Sequence, residues 1–280
     1  MIKVNNVTYT YMSGGPFEKV AVDNVSLEIE SGKFIGLIGH TGSGKSTLIQ
    51  MIGGLIKPTS GTVEIDGQVL HSKECNMRDM RFKTGLVMQY PEYQLFEETV
   101  FRDIAFGPTN MGLSQNEIKR RVELAADLAG LKPELLEKSP FELSGGQKRR
   151  AAIAGILAME PSVLILDEPT AGLDPAGREE ILCKIRDLHK RLGITVLLVS
   201  HSMEDIAKMA DQIVVMNRGK VDMNGTPSEI FKNAEHLRSI GLSVPQITDI
   251  CDMLRSRGLP VSEGIYTVEA AKAEILKLIN

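Results

Sequence analysis

The stretch KFIGLIGHTGSGKSTLIQMI, from Lys33 to Ile52, constrains the fold more than any other. It joins an apolar strand pattern to a glycine loop and then to a helical pattern. The loop matches Gly39-x4-Gly44-Lys45-Ser46 at every fixed position of the phosphate-binding loop. Glycines let backbone N–H groups wrap close to a triphosphate, and the helix N-terminus adds favourable partial charge. The spacing therefore predicts nucleotide binding by Gly39, His40, Thr41, Gly42, Ser43, Gly44, Lys45, Ser46 and Thr47. Lys45 is expected to reach the β and γ phosphates, and the Ser46 hydroxyl to ligate Mg²⁺. A chance glycine-rich turn is the alternative, but strand, loop and helix in that order argue against it.

The rest of the chain fits an α/β fold. VNNVTYTY, AVDNVSLEI and GTVEIDGQVL read as strands, with a tight turn at Asp66-Gly67. They predict an N-terminal antiparallel β subdomain. The loop helix is expected to run through TLIQMIGGLI until Lys57-Pro58 stops it. Helical periodicity takes over from about Thr99 to Ala158, with a capping box at Ser114–Glu117. This predicts an inserted helical subdomain over about 95–160. SVLILDEP and ITVLLVSH are unbroken apolar strands separated by a Leu- and Ile-rich helix. Such alternation predicts a P-loop NTPase core with a mostly parallel sheet covered on both faces. QIVVMN reads as a last short strand. A main domain is thus expected over 1–225, followed by short helices with Pro and Gly breaks over 226–280.

Four further polar residues fall where strands end. Asp167 closes the apolar Val163–Leu166 run, which would put it beside the phosphate loop and able to hold Mg²⁺ through water. Glu168 follows at once. Neighbouring strand residues point to opposite faces, but a turn at the strand end lets both face one site. Glu168 then reads as the water-activating carboxylate, with a solvated surface acid as the alternative. Gln89 follows GLVM and His201 follows VLLVS. Each alone suits a structural role. A parallel sheet gathers carboxyl ends on one rim, where Gln89 and His201 would converge on the γ-phosphate, Gln89 also within reach of the metal.

FELSGGQKRRAAIA, from Phe141 to Ala154, holds a second phosphate-type turn at a helix start. Ser144 lies 99 residues beyond Lys45, inside the helical insertion. If that insertion is its own subdomain, the turn cannot fold back onto the nucleotide of its own chain. It is then usable only in trans, with Ser144, Gly145 and Gly146 offering a hydroxyl and amides to a γ-phosphate held by a facing subunit. ATP would join the pair and hydrolysis would release it.

Leu143-Ser-Gly-Gly-Gln147 resembles the signature of ATP-binding-cassette ATPases. It comes in order with the phosphate loop, the Gln89 loop, VLILDE, Ala171-Gly-Leu-Asp174 and His201, over residues 1 to about 225. The resemblance implies that Tyr11 stacks on adenine, that Asp174 contacts the partner subunit, and that Gln147 belongs to the nucleotide-binding signature. It also implies that Glu168 polarises the attacking water, that His201 touches the γ-phosphate, and that ATP and Mg²⁺ are the ligands. MSGGPFEKVAV after Tyr11, MQYPEYQLFEETV and the tail GTPSEIF…LRSIGLSVPQ resemble the energy-coupling factor (ECF) transporter ATPases, the second-paralogue type most closely. That family powers uptake of vitamins and transition-metal ions. The likeness implies a second ATPase subunit, a paralogous sibling or else a second copy, together with a transmembrane coupling subunit and a substrate-binding membrane subunit. It places the chain at the cytoplasmic face of the cell membrane and gives residues 226–280 a part in dimer contacts, with a passive extension as the alternative.

Other classes fit less well. A net charge of −4 gives no reason to expect a nucleic-acid partner, and Lys148, Arg149 and Arg150 read as an ordinary charged helix face. Soluble cassettes acting on DNA or ribosomes carry coiled-coil insertions or two cassettes per chain, and neither is present. A small-molecule kinase would have no use for LSGGQ. Ordinary ABC importers and exporters share every catalytic motif and remain the rival. Cys75, Cys183 and Cys251 form no CxxC pair and read as reduced thiols. No run approaches the roughly 20 apolar residues of a membrane span, so other chains would have to cross the bilayer. A docking seat is expected at Gln89–Phe96, with Tyr90, Tyr93, Leu95 and Phe96 rimmed by Glu92, Glu97 and Glu98. Local core is the alternative for those aromatics.

Overall fold

The computed structural model describes residues 1–279. Its centre is a six-stranded sheet in the order β10-β9-β3-β8-β7-β6. The strands are β3 (Phe34–Ile38), β6 (Thr84–Val87), β7 (Val163–Asp167), β8 (Thr195–Val199), β9 (Gln212–Asn217) and β10 (Lys220–Gly225). All pairings are parallel except β9 with β10. β10 extends the strand pattern beyond QIVVMN: Arg218, left-handed at φ 48°, and Gly219 turn the chain back along β9. A second sheet, β2-β1-β4-β5, is antiparallel. It comprises β1 (Ile2–Tyr11), β2 (Lys19–Ile29), β4 (Ser60–Ile65) and β5 (Gln68–Val69), the last two joined at Asp66-Gly67 as expected.

Period-two alternation gives the central sheet two apolar faces. Ile35, Leu37, Ile165, Leu197 and Val199 pack with β1, β2 and helix α1 (Lys45–Ile52), which lies between the two sheets. Phe34, Ile38, Leu164, Leu166, Val196 and Leu198 face the other core. Helix α1 is shorter than the sequence pattern suggests. It ends at Ile52 because Gly54 takes φ 67°, a left-handed conformation that suits glycine and stops the helix.

A short helix α2 (Met77–Lys83) leads into β6. The inserted subdomain holds α3 (Val100–Asn110), α4 (Gln115–Leu128) and α5 (Gly145–Leu157). Ser114 caps α4 through its side chain, but the reciprocal half of the expected capping box is not formed, because the Glu117 carboxylate is taken by Arg120 and Arg121. Helices α6 (Pro175–Leu192) and α7 (Met203–Met209) follow β7 and β8.

The residues after Gly225 divide in their packing. From α8 (Pro227–Lys232) and α9 (Ala234–Ser239), the side chains of Ile230, Phe231, Ala234 and Leu237 join the main core, with Leu242 and Val244 beyond them. Helices α10 (Gln246–Ser256) and α11 (Val268–Ile279) gather instead on a small cluster of Cys251, Val261, Ile265 and Ala271. Truncating a fully buried phenylalanine removes its transfer free energy and leaves a cavity, which typically costs about 3–5 kcal/mol. Phe231→Ala should therefore lower the unfolding free energy of the whole cassette by about that amount in chemical denaturation. A loss under roughly 1 kcal/mol would show that α8 is an appendage rather than core.

Candidate functional site

The register of the central sheet aligns the strand ends. Leu37 pairs with Val199, Val199 with Asp167, and Val87 with Leu166. The glycine loop after β3, Asp167-Glu168 at β7, His201 after β8 and Gln89 after β6 therefore emerge on one rim. Lys45, Gln89, Glu168 and His201 line a cavity of about 390 Å³ together with Tyr11, Lys19, Thr41, Gly42, Gly44, Ser46 and Thr47; the buried Asp167 is not among its lining residues.

The loop is shaped by close backbone approach. Gly44 has φ 101°, and a Cβ there would lie 2.4 Å from the Ala21 carbonyl oxygen. At Gly39 a Cβ would lie 2.4 Å from the Met216 carbonyl oxygen. No larger residue fits either position. His40 Nδ1 bonds the Thr41 carbonyl at 2.9 Å, and His40 Nε2 lies 3.3 Å from Asn217 Oδ1, which ties the loop to the β9–β10 turn. Gly219 N donates to the Ser43 carbonyl at 2.9 Å. Ser43 is fully buried, and its hydroxyl has no hydrogen-bond partner among the described residues.

Lys45 is buried, and its ammonium donates to the carbonyls of Gly39 (2.6 Å) and His40 (3.1 Å). Burial lowers its pKa, with Glu168 and Asp167 opposing that shift. Asp167 is pushed up by burial and by the neighbouring charge of Glu168, against a hydrogen bond from Ser46. Tyr11 is partly exposed at the cavity edge, and its hydroxyl meets Thr47 Oγ1 at 3.1 Å.

Glu168 takes φ 49°, an uncommon left-handed conformation for a non-glycine residue. This turn at the strand end brings two consecutive carboxylates to one site instead of opposite faces. Glu168 Oε1 lies 2.7 Å from His201 Nε2, and Glu168 Oε2 accepts from Gln89 Nε2 at 3.0 Å. Gln89, Glu168 and His201 form one cluster.

The second glycine turn lies elsewhere, and no residue of Ser144–Gln147 lines the cavity. Ser144 caps α5 in a capping box: its hydroxyl accepts from Gln147 N at 3.4 Å, and its own N donates to Gln147 Oε1 at 2.9 Å. The Gln147 side chain is committed to that cap. Gly145 and Gly146 have ordinary negative φ, and a Cβ on either would meet nothing within 4 Å. Asp174 is exposed and caps α6, accepting from Gly177 N at 2.7 Å.

Two expectations need correcting. Arg149 is not part of a solvated helix face. It is 2% exposed and its guanidinium holds Glu92 at 2.7 and 3.0 Å. Glu92 accordingly does not rim an outer seat. Burial acts to raise its pKa, but the Arg149 bonds outweigh this and leave the carboxyl below its usual range. The pair had a sequence signal: Arg149 falls on the i, i+4, i+8 stripe with Ile153 and Leu157, both buried. Tyr90, Tyr93 and Phe96 are exposed rather than local core, Tyr93 at 85%. The Phe96 and Phe106 rings meet edge to face at 5.1 Å.

Comparison with known proteins agrees with this geometry. Residues 22–171 match the family model described as ABC transporter. The chain is 56% identical over 279 residues to the energy-coupling factor transporter ATP-binding protein EcfA2 of Caldanaerobacter subterraneus subsp. tengcongensis, covering 100% of this chain and 98% of that protein. It is 58% identical to the EcfA2 of Clostridium tetani, covering 100% and 97%. Among solved structures it resembles cbiO1 from Clostridium perfringens, described as part of the ABC transporter complex cbiONQ, with TM-score 0.76, 38% identity and coverage of 90% and 98%. A dimeric post-hydrolysis state of the ATP-binding cassette MJ0796, bound to ADP and Pi, aligns with TM-score 0.73 at 31% identity, covering 81% and 98%. On its own strand-rim cluster and on full-length identity to these relatives, the chain belongs to the ATP-binding-cassette family and, within it, to the energy-coupling factor transporter ATP-binding proteins.

Proposed function

We infer that this chain is the ATP-hydrolysing motor subunit of a membrane importer of the energy-coupling factor type. The observation that carries the reading is the separation of two phosphate-binding turns in one chain. The Gly39–Thr47 loop lines a cavity with Glu168, Gln89 and His201, whereas among the described residues nothing approaches within 4 Å of a Cβ placed on Gly145 or Gly146. Neither backbone conformation nor packing within the chain requires glycine at those two positions. Close approach by another molecule does, and a nucleotide on a facing subunit supplies the reason. The free donors at the N-terminus of α5, with the Ser144 proton, suit a γ-phosphate.

Each residue then has a task. Tyr11 stacks on the adenine, held in place through its hydroxyl at Thr47. The loop amides and Lys45 bind the phosphates, and the buried ammonium gains more from a polyanion than from two carbonyls. Ser46, Asp167 and Gln89 offer hard oxygens that would hold Mg²⁺, and the bound ion would supply neutralisation of phosphate charge. Glu168 polarises the attacking water, oriented by His201 and Gln89. Asp174 meets the partner across the dimer.

The partner is a second ATPase subunit, a paralogue by the likeness to EcfA2 and otherwise a second copy. Among the described residues no helix is long and apolar enough to cross a membrane. Membrane subunits would dock at the exposed Tyr90, Tyr93, Phe96 and Phe106, and this puts the chain at the cytoplasmic face of the membrane. The nucleotide-binding domain is read as residues 1–225, with the core extended by the side chains of α8 and α9. The exposed Ile250 and Met253 of α10 are assigned to the dimer contact.

Three outcomes test this. Glu168→Gln should keep ATP binding, lose roughly 10²–10⁴-fold in turnover, and trap a closed ATP-bound dimer in size-exclusion chromatography. Near-native turnover would remove Glu168 from its role. Tyr93→Ala with Phe96→Ala should lose capture of the coupling subunit in a pull-down; full retention would count against the seat. Ile250→Asp with Met253→Asp should weaken the ATP-dependent dimer, and an unchanged elution profile would leave α10 without that part.

A further inference from the structure

Arg149 bonds two separate segments from one buried position on a third. It sits on α5, five residues after Ser144. Nε and Nη2 grip the two oxygens of Glu92 at 3.0 and 2.7 Å. Nη1 donates to the carbonyls of Pro169 (3.1 Å) and Ala171 (2.6 Å). Glu92 lies in the 3₁₀ turn Pro91–Gln94, three residues after Gln89. Pro169 and Ala171 lie directly after Glu168. All three guanidinium nitrogens are engaged, so the planar fork fixes distance and angle together.

The Gln89 segment and the segment after Glu168 also touch elsewhere. The Tyr90 ring passes 3.9 Å from where a Cβ on Gly172 would stand. Tyr90 is itself left-handed at φ 55°, as Glu168 is at φ 49°. Two strained turns at neighbouring strand ends are thus joined behind the Gln89–Glu168 hydrogen bond by one side chain. Arg149 does not line the phosphate cavity.

We propose that Arg149 is a positioning residue for ATP hydrolysis, a buried brace that sets the backbone following Glu168 against the Gln89–Phe96 segment. The proposal rests on the reading of Glu168 as the water-polarising carboxylate and of Gln89–Phe96 as the docking face. A displacement of the docking face is carried by the Glu92–Arg149 fork to the Pro169–Ala171 carbonyls, and so to Glu168. The brace acts on turnover and leaves nucleotide binding alone.

Arg149→Lys keeps the charge but has one terminal nitrogen, which cannot hold the carboxylate and both carbonyls at once. In the full-length chain assayed with its ATPase partner, this variant should lose roughly ten- to a hundredfold in kcat. KM and the affinity for a fluorescent ATP analogue should stay within about twofold, a split expected of a group that positions without binding. It should melt cooperatively, and combined with Glu168→Gln it should still form the ATP-bound dimer. If Arg149→Lys does not melt cooperatively, Glu92→Asp, which keeps the charge pair one methylene shorter, should show the same loss in kcat with unchanged affinity. A kcat within twofold of native overturns the brace. So does a loss of kcat matched by equal losses of affinity and dimer formation, because that pattern belongs to general unfolding. Native turnover in Glu168→Gln alone would instead sink the role of Glu168, a result separable from any outcome at Arg149.

Discussion

The parallel register of β3, β8 and β7 is the constraint on which the site depends. Leu37, Val199 and Asp167 stand level across three strands, so the groups that follow them emerge together. A shift by one residue would turn Asp167 to the opposite face and separate Glu168 from His201. The register is held because both faces of these strands are buried, one against α1 and the antiparallel sheet, the other against the helices. Chemistry that requires hydrogen-bond distances among Gln89, Glu168 and His201 is thus set by hydrophobic burial of the strands.

Much of this was legible in the sequence. Apolar runs ending in Gly39, Asp167 and Ser200-His201 identified the strands and the rim, because a strand buried on both faces leaves an unbroken apolar pattern. The Ser144 helix start was legible from its Ser-Gly-Gly turn. The less visible features depend on tertiary contacts. β10 has an alternating burial pattern too weak to announce itself, and it exists because the Arg218-Gly219 turn lays it against β9. The end of α1 at Gly53-Gly54 lost out to a stronger-looking stop at Pro58. Arg149 was the instructive case. Three consecutive basic residues look like a solvated face, yet one of them lies on the apolar stripe of α5 and finds its partner 57 residues upstream.

Two kinds of strain are gathered around the same carboxylate. Glu168 and Tyr90 are both left-handed, and such conformations persist only when surrounding contacts over-determine them. The Arg149 fork, the Gln89 bond and the His201 contact supply those contacts. Burial also works against full ionisation of Asp167 and of Lys45, with each group's charge favouring the other's. Under the proposed function, a polyanion beside Lys45 and a divalent cation beside Asp167 would relieve both costs.

The account stands or falls on the nucleotide being closed in by two subunits, with Gly145 and Gly146 serving the neighbour's phosphate. The most direct test is turnover per molecule across a wide dilution series, with the chain assayed beside its ATPase partner and with Ser144 either intact or replaced by arginine. The account predicts that turnover per molecule falls on dilution. It also predicts that Ser144→Arg abolishes hydrolysis at the site completed by that residue while ATP binding to the chain's own Lys45 loop is unchanged. Constant turnover by the diluted chain alone, indifferent to Ser144→Arg, would contradict it.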